Sequence, residues 1–222
     1  MNNALSQTML GDFLRFVRRP ELDATSLPFK WSQFIGLLLS CFVIIVPYAL
    51  ILEYLDLELD HKLEEMLKNH KLLLVGMAVV AAPILEETVF RYHLSLSKST
   101  VLVSLLVSLL LIGEYRWING LISGYLVFIL VMLQFNQKVS FTAVYYSSAL
   151  LFALIHMSNF SNFDFKSLFY LVPVLVFVQF LLGLIMGYLR VAYGFWYAVL
   201  FHALYNGSLV IPTLIWGDQF MQ

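Results

Sequence analysis

Charge is what this chain has least of. Only 12% of its 222 residues are Asp, Glu, Lys or Arg, about half the share of an ordinary soluble domain. Thirteen basic against fourteen acidic side chains give a net charge of −1, so no basic face invites nucleic acid. The single cysteine, Cys41, cannot form an internal disulfide. It lies in an apolar run and reads as a small buried hydrophobe. No segment repeats at a fixed period, and no low-complexity tract interrupts the chain. Residues 1–30 do not read as a signal peptide. Arg15, Arg18 and Arg19 follow the first apolar residues instead of preceding a long core.

What the chain has in excess is apolar surface. Hydrophobic residues make up 61% of it, and the mean hydropathy is +0.84. A water-soluble globule of this size has no interior large enough to hide so much, and a disordered chain would have nothing like it. The composition predicts an all-α, polytopic transmembrane helix bundle of about seven to eight spans, at about 20 apolar residues each.

Seven apolar segments support that expectation: 34–55, 72 into the charged residues near 86, 101–112, 117–135, 141–157, 168–189 and 193–216. The third is short and must borrow residues 97–100 to cross a bilayer. Before them, Leu10, Phe13, Leu14 and Val17 have helical spacing, with arginines alongside. They predict a short amphipathic helix on the membrane surface, ended by Pro20. Residues 56–71 are polar and read as a loop or surface helix. The divisions expected are 1–30 as an N-terminal polar segment, 31–71 as the first span and its loop, and 72–222 as the core. Trp31, Trp117, Trp196 and Trp216 sit mostly near segment ends, as interfacial anchors do. Placing the N-terminus inside puts eight Lys and Arg on the inner side and five on the outer, which favours a cytoplasmic N-terminus.

The informative residues are polar ones within apolar runs, because they are costly there and usually face the bundle interior. Three groups stand out. Glu86 and Glu87 follow the stretch ending at Leu85, with Arg91 one turn beyond. Glu87 and Arg91 are i,i+4 neighbours in the favourable order for an ion pair. Glu86 is rotated by about 100° from Glu87 and is free to face something else. His156 follows Phe152 by one turn. His202 and Asn206 share a helix face. Taken alone, these groups also fit a helix end at the headgroups, an interfacial histidine and a helix–helix hydrogen bond. The span bounds place Glu86 and His202 nearer the inner side and His156 nearer the outer end of its segment.

Glu86-Glu87-x-x-x-Arg91, Phe152-x-x-x-His156 and His202-x-x-x-Asn206, in that order on hydrophobic segments, resemble the CPBP family. That family comprises CAAX-processing and bacteriocin-processing (Abi) intramembrane endopeptidases, and the resemblance covers roughly residues 72–215. Two features depart from it. Tyr92 and His93 follow Arg91 where the family often has glycine, and the stretch from Glu86 to His156 is long, with room for two extra short spans within 98–135. The resemblance implies a metal-free glutamic endopeptidase of a bacterial inner membrane, with no cofactor. Glu86 would be the general base, and His156 would hold and polarise the attacking water. His202 and Asn206 would bind the oxyanion, while Glu87 and Arg91 support the helix that carries Glu86. His93 shares the face of Glu86 if the helix continues. The implied partners are membrane lipids and a peptide, lipid-anchored or membrane-embedded protein substrate.

Other chemistries remain open on the residues themselves. Glu86, His156 and His202 are a plausible zinc set, two histidines and a carboxylate, although no H-E-x-x-H helix is present. No G-x-S-x-G motif marks a nucleophilic serine, and Ser104 and Ser108 read as groups that bond the helix backbone. The same polar set could serve a non-catalytic scaffold or regulator of a partner membrane protein. A proton-coupled transporter lacks its expected inverted repeat.

Overall fold

The computed structural model describes residues 7–23, 27–54, 71–110, 115–160 and 163–220. Among these there is no β-strand, as the composition requires. The helices are α1 (Met9–Arg18), α2 (Trp31–Tyr54), α3 (Lys71–Val75), α4 (Ala82–Phe90), α5 (Lys98–Ser108), α6 (Arg116–Gln134), α7 (Phe141–Ile155), α8 (Phe165–Leu168), α9 (Val172–Leu175), α10 (Phe177–Ala192) and α11 (Phe195–Phe220). The expected polar stretch 56–71 falls almost wholly outside the described residues.

Three described helical segments are long and apolar enough to cross a membrane: Trp31–Leu52, Arg116–Gln134 and Phe141–Asn159. A fourth is obtained if Phe165–Leu175 and Phe177–Ala192, bent by 46° at their junction, count as one broken span. Helix α5, with 11 residues, covers only about 16 Å at 1.5 Å per residue. The exterior is apolar, with Leu39, Val43, Leu50, Phe128 and Phe135 all exposed. This is an integral membrane protein, and such an exterior suits lipid better than water.

Local sequence sets the helix ends. Thr8, Ser97 and Ser140 cap α1, α5 and α7, each side-chain oxygen accepting a backbone N–H three residues on. Gly194, with φ of 111°, makes the reversal between α10 and α11. Its N–H and that of Tyr193 both donate to the Leu189 carbonyl.

Between α3 and α4 the helix widens into a π-segment, Gly76–Ala81, in which Ala82 N–H donates to the Met77 carbonyl five residues back. The next residue in that register is Pro83, which has no N–H to offer the Ala78 carbonyl. The amide of Asn206 on α11 donates to it instead, at 2.8 Å.

The N-terminal helix does not simply lie on the bilayer. It docks on the bundle through Met9, Phe13 and Phe16, all buried, while the expected contact residue Leu14 is half exposed. Phe16 packs on Tyr145 and Tyr188, ring centroids 5.2 and 5.5 Å apart. Asp12 is buried on the same face. It accepts hydrogen bonds from Tyr188 Oη at 2.9 Å and from Arg15 at 2.8 Å.

Helix α10 approaches α7 most closely at Gly183 and Gly187, one turn apart. A Cβ on Gly183 would lie 3.1 Å from Ala149 Cα. This is the small-residue spacing that lets membrane helices meet backbone to backbone.

Candidate active site

Three segments bring the polar residues together: α4, the end of α7, and α11. Glu86 Oε2 lies 3.9 Å from His156 Nε2 and 3.9 Å from His202 Nε2. Glu86 and His156 side chains are about one-fifth exposed, at 20% and 18%, while His202 is buried. The site is therefore enclosed but reachable at the carboxylate.

The span arithmetic set His156 apart from Glu86 and His202, but the structure brings the three together, with α7 stopping at Ile155. His156 opens a 3-10 turn, His156–Asn159, that swings its ring toward α4. Its Nδ1–H donates to the Phe152 carbonyl at 2.7 Å. A carbonyl can only accept, so Nδ1 carries the hydrogen and the neutral ring presents a bare Nε2 to Glu86.

His202 is likewise held through Nδ1. Its Nδ1–H donates to Glu87 Oε1 at 2.9 Å, which again turns Nε2 toward Glu86. Glu87 is fully buried and also pairs with Arg91, Nη1 to Oε1 at 3.2 Å, the i,i+4 contact expected from sequence. Glu87 thus has two partners, and the one to His202 was not visible in the spacing. The Arg91 guanidinium is buried and lies 3.9 Å above the Phe152 ring centroid, close enough for a cation–π contact.

Phe152 is the residue that sequence reasoning left without a part. Its ring also meets the rings of His156, His202 and Phe90, at centroid distances of 4.7, 5.7 and 5.5 Å. It walls the polar centre and presses both imidazoles into place. Its position one turn before His156 was the available signal.

Asn206 stands one turn along α11 from His202, with one amide hydrogen committed to the Ala78 carbonyl. Among the described residues its side chain makes no hydrogen bond to Glu86 or to either histidine. His93 turns away from Glu86, because α4 ends at Phe90 and a 3-10 turn, Tyr92–Ser95, follows. Its Nε2 meets Tyr125 Oη at 2.9 Å instead.

Among the described residues, no group of three or more His, Cys, Asp and Glu side chains is arranged to hold a metal ion.

A paired glutamate, an arginine one turn on, and two histidines on later helices are here gathered on one carboxylate. Comparison with known families finds one match, described as Type II CAAX prenyl endopeptidase Rce1-like, over residues 68–208. The chain belongs to this family. The matched stretch takes in every residue of the site, and it leaves α1 and α2 outside. Searches of curated proteins and of solved structures gave no match. As an Rce1-like protein, the chain is a CAAX-type membrane protease, and its family implies a membrane-embedded or prenylated protein substrate.

Proposed function

We propose that this Rce1-like protein cleaves its substrate by a glutamate-activated water. The observation that carries this reading is the convergence of three groups. Glu86 Oε2 faces two histidine Nε2 atoms at equal distance, and each ring is locked by its own Nδ1 bond. Separations of 3.9 Å exceed a direct hydrogen bond but suit one bridging water. Such a water directs one O–H at the carboxylate and the other at His156 Nε2, leaving its lone pair for the scissile carbonyl carbon. As attack proceeds, Glu86 takes the water proton. The carbonyl oxygen becomes an oxyanion, which accepts hydrogen bonds from His202 at Nε2 and from the second amide hydrogen of Asn206. Collapse breaks the C–N bond, and the Glu86 proton passes to the departing amine. A positioned base contributes about 10²–10⁴-fold, and one oxyanion donor about 10²–10³-fold.

We assign the enzyme to a bacterial inner membrane, and the bias of Lys and Arg supports a cytoplasmic N-terminus. Substrates with a lipid tail suit a second feature. An apolar cavity of about 590 Å³ between α2 and the α9–α10 bend is lined by Val43, Pro47, Ile51, Pro173 and Phe177.

The test compares wild type with Glu86→Gln, at matched folded levels, in the native host lacking its own copy. New peptide N-termini in the membrane fraction are read by mass spectrometry. Cleavages found with wild type and absent with Glu86→Gln are the expected result. Equal cleavage by the two proteins overturns the mechanism, and no cleavage by either points to a scaffold or regulator. Loss of activity on chelation, restored by zinc, would replace the water-only mechanism with a metal-assisted one.

A further inference from the structure

Helix α4 is nine residues long, interrupted by a π-segment before it and a 3-10 turn after it. Nothing in its own length holds it at one depth or one rotation. Yet rotating it by a single residue would carry Glu86 away from the histidines and put Glu87 in its place.

The last carbonyls of a helix have no partner within it, and inside a membrane water does not supply one. In α4 three consecutive carbonyls are each taken by a side chain. Ser104 on α5, fully buried, donates to Thr88 O at 2.6 Å. His93 donates from Nδ1 to Val89 O at 2.9 Å. Ser148 on α7, also buried, donates to Phe90 O. His93 Nε2 in turn lies 2.9 Å from the Tyr125 hydroxyl of α6, whose one hydrogen is shared with the Val144 carbonyl of α7 at 3.0 Å. Successive carbonyls lie about 100° apart around the axis. The donors therefore close on α4 from different sides, directly from α5 and α7 and through His93 from α6.

We propose that Ser104, Ser148 and the His93–Tyr125 pair are positioning residues for catalysis, a polar collar that fixes the rotation and depth of α4 and so aims Glu86 at His156 and His202. The collar rests on the proposed role of Glu86 and goes beyond it. None of the four side chains touches the reacting atoms. They act through the backbone immediately after Glu86-Glu87. A shift of about 1 Å at a reacting group can cost about 10²-fold in rate, so the collar controls turnover without taking part in binding.

The test measures kcat and KM with a synthetic peptide spanning a cleavage site found in the N-terminus comparison. Ser104→Ala/Ser148→Ala and Tyr125→Phe are compared with wild type, with Ser104→Thr as the variant that keeps its hydroxyl. Glu86→Gln is the inactive reference. Hydrogen exchange over residues 84–95 and thermal unfolding in detergent are read on the same samples. The expected result is kcat lower by about 10- to 100-fold in the alanine pair. KM stays within about twofold, exchange rises locally over 84–95, and Ser104→Thr stays near wild type. If the alanine pair fails to fold, Tyr125→Phe decides by the same readouts. Wild-type kcat in the collar variants, or kcat loss matched by an equal loss of folded protein, overturns the collar while leaving the role of Glu86 intact. Cleavage by Glu86→Gln equal to wild type overturns the catalytic reading and the collar with it.

Discussion

Asn206 carries two tasks that a single substitution cannot separate. Its amide fills the hydrogen bond that Pro83 denies to the Ala78 carbonyl, and the proposed mechanism also requires it at the oxyanion. Asn206→Ala should strand a part-buried carbonyl and cost about 1–3 kcal/mol of stability. It should also slow cleavage by about 10²-fold or more. Adding Pro83→Ala restores a backbone N–H in the register of the orphaned carbonyl. The double variant should therefore recover melting temperature without recovering rate. Recovery of both would show that Asn206 serves the helix alone. At this scale the sequence was partly legible. The Glu87–Arg91 pair followed from i,i+4 spacing, because both residues lie on one helix. The bond from His202 to Glu87 did not, because it depends on how two helices far apart in sequence are rotated against each other. His93 would share a face with Glu86 only if α4 continued, and α4 ends three residues earlier.

Among elements, the reading of apolar segments succeeded wherever a helix runs unbroken. The segments expected at 34–55, 117–135 and 141–157 appear as α2, α6, and α7 with its terminal turn. It blurred where a helix changes its winding. The segment expected at 168–189 is broken at the α9–α10 bend. The one expected from residue 72 passes through the π-segment, and hydropathy is blind to both changes because neither alters composition. The close approach of α10 to α7 matters to the site, since α7 ends in His156. Gly183→Val should overpack that contact, costing about 1–3 kcal/mol, and should slow cleavage by pushing the end of α7 away from α4. Gly124→Ala on α6 is the control, because a Cβ there meets nothing within 4 Å. It should leave both melting and rate unchanged. Equal effects of the two substitutions would remove the link between α10 packing and the site.

In the molecule as a whole, α1 is part of the bundle although it lies outside the family match. Asp12 binds Tyr188 near the end of α10, the Val17 carbonyl accepts from Tyr146, and the Pro20 carbonyl accepts from Thr142 at 3.2 Å. The amphipathic pattern was legible in the sequence. The choice of bundle over lipid was not, because Asp12 on the apolar face is costly against lipid and favourable only opposite a tyrosine hydroxyl. Asp12→Ala should lower stability by about 1–3 kcal/mol. It should release α1 to hydrogen exchange while leaving kcat near wild type, as measured on the folded protein. A variant in which α1 stays protected would mean that the aromatic contacts alone hold it.

The bond between residues 12 and 188 also imposes an order on assembly. Helix α1 leaves the ribosome long before α10 exists, so its docking face must wait against the bilayer while the intervening helices enter. Helix α1 is thus made before the helix that holds it, and it reaches its place only after that helix is made. A nascent chain halted short of Tyr188 should leave α1 open to protease, and the finished chain should close it.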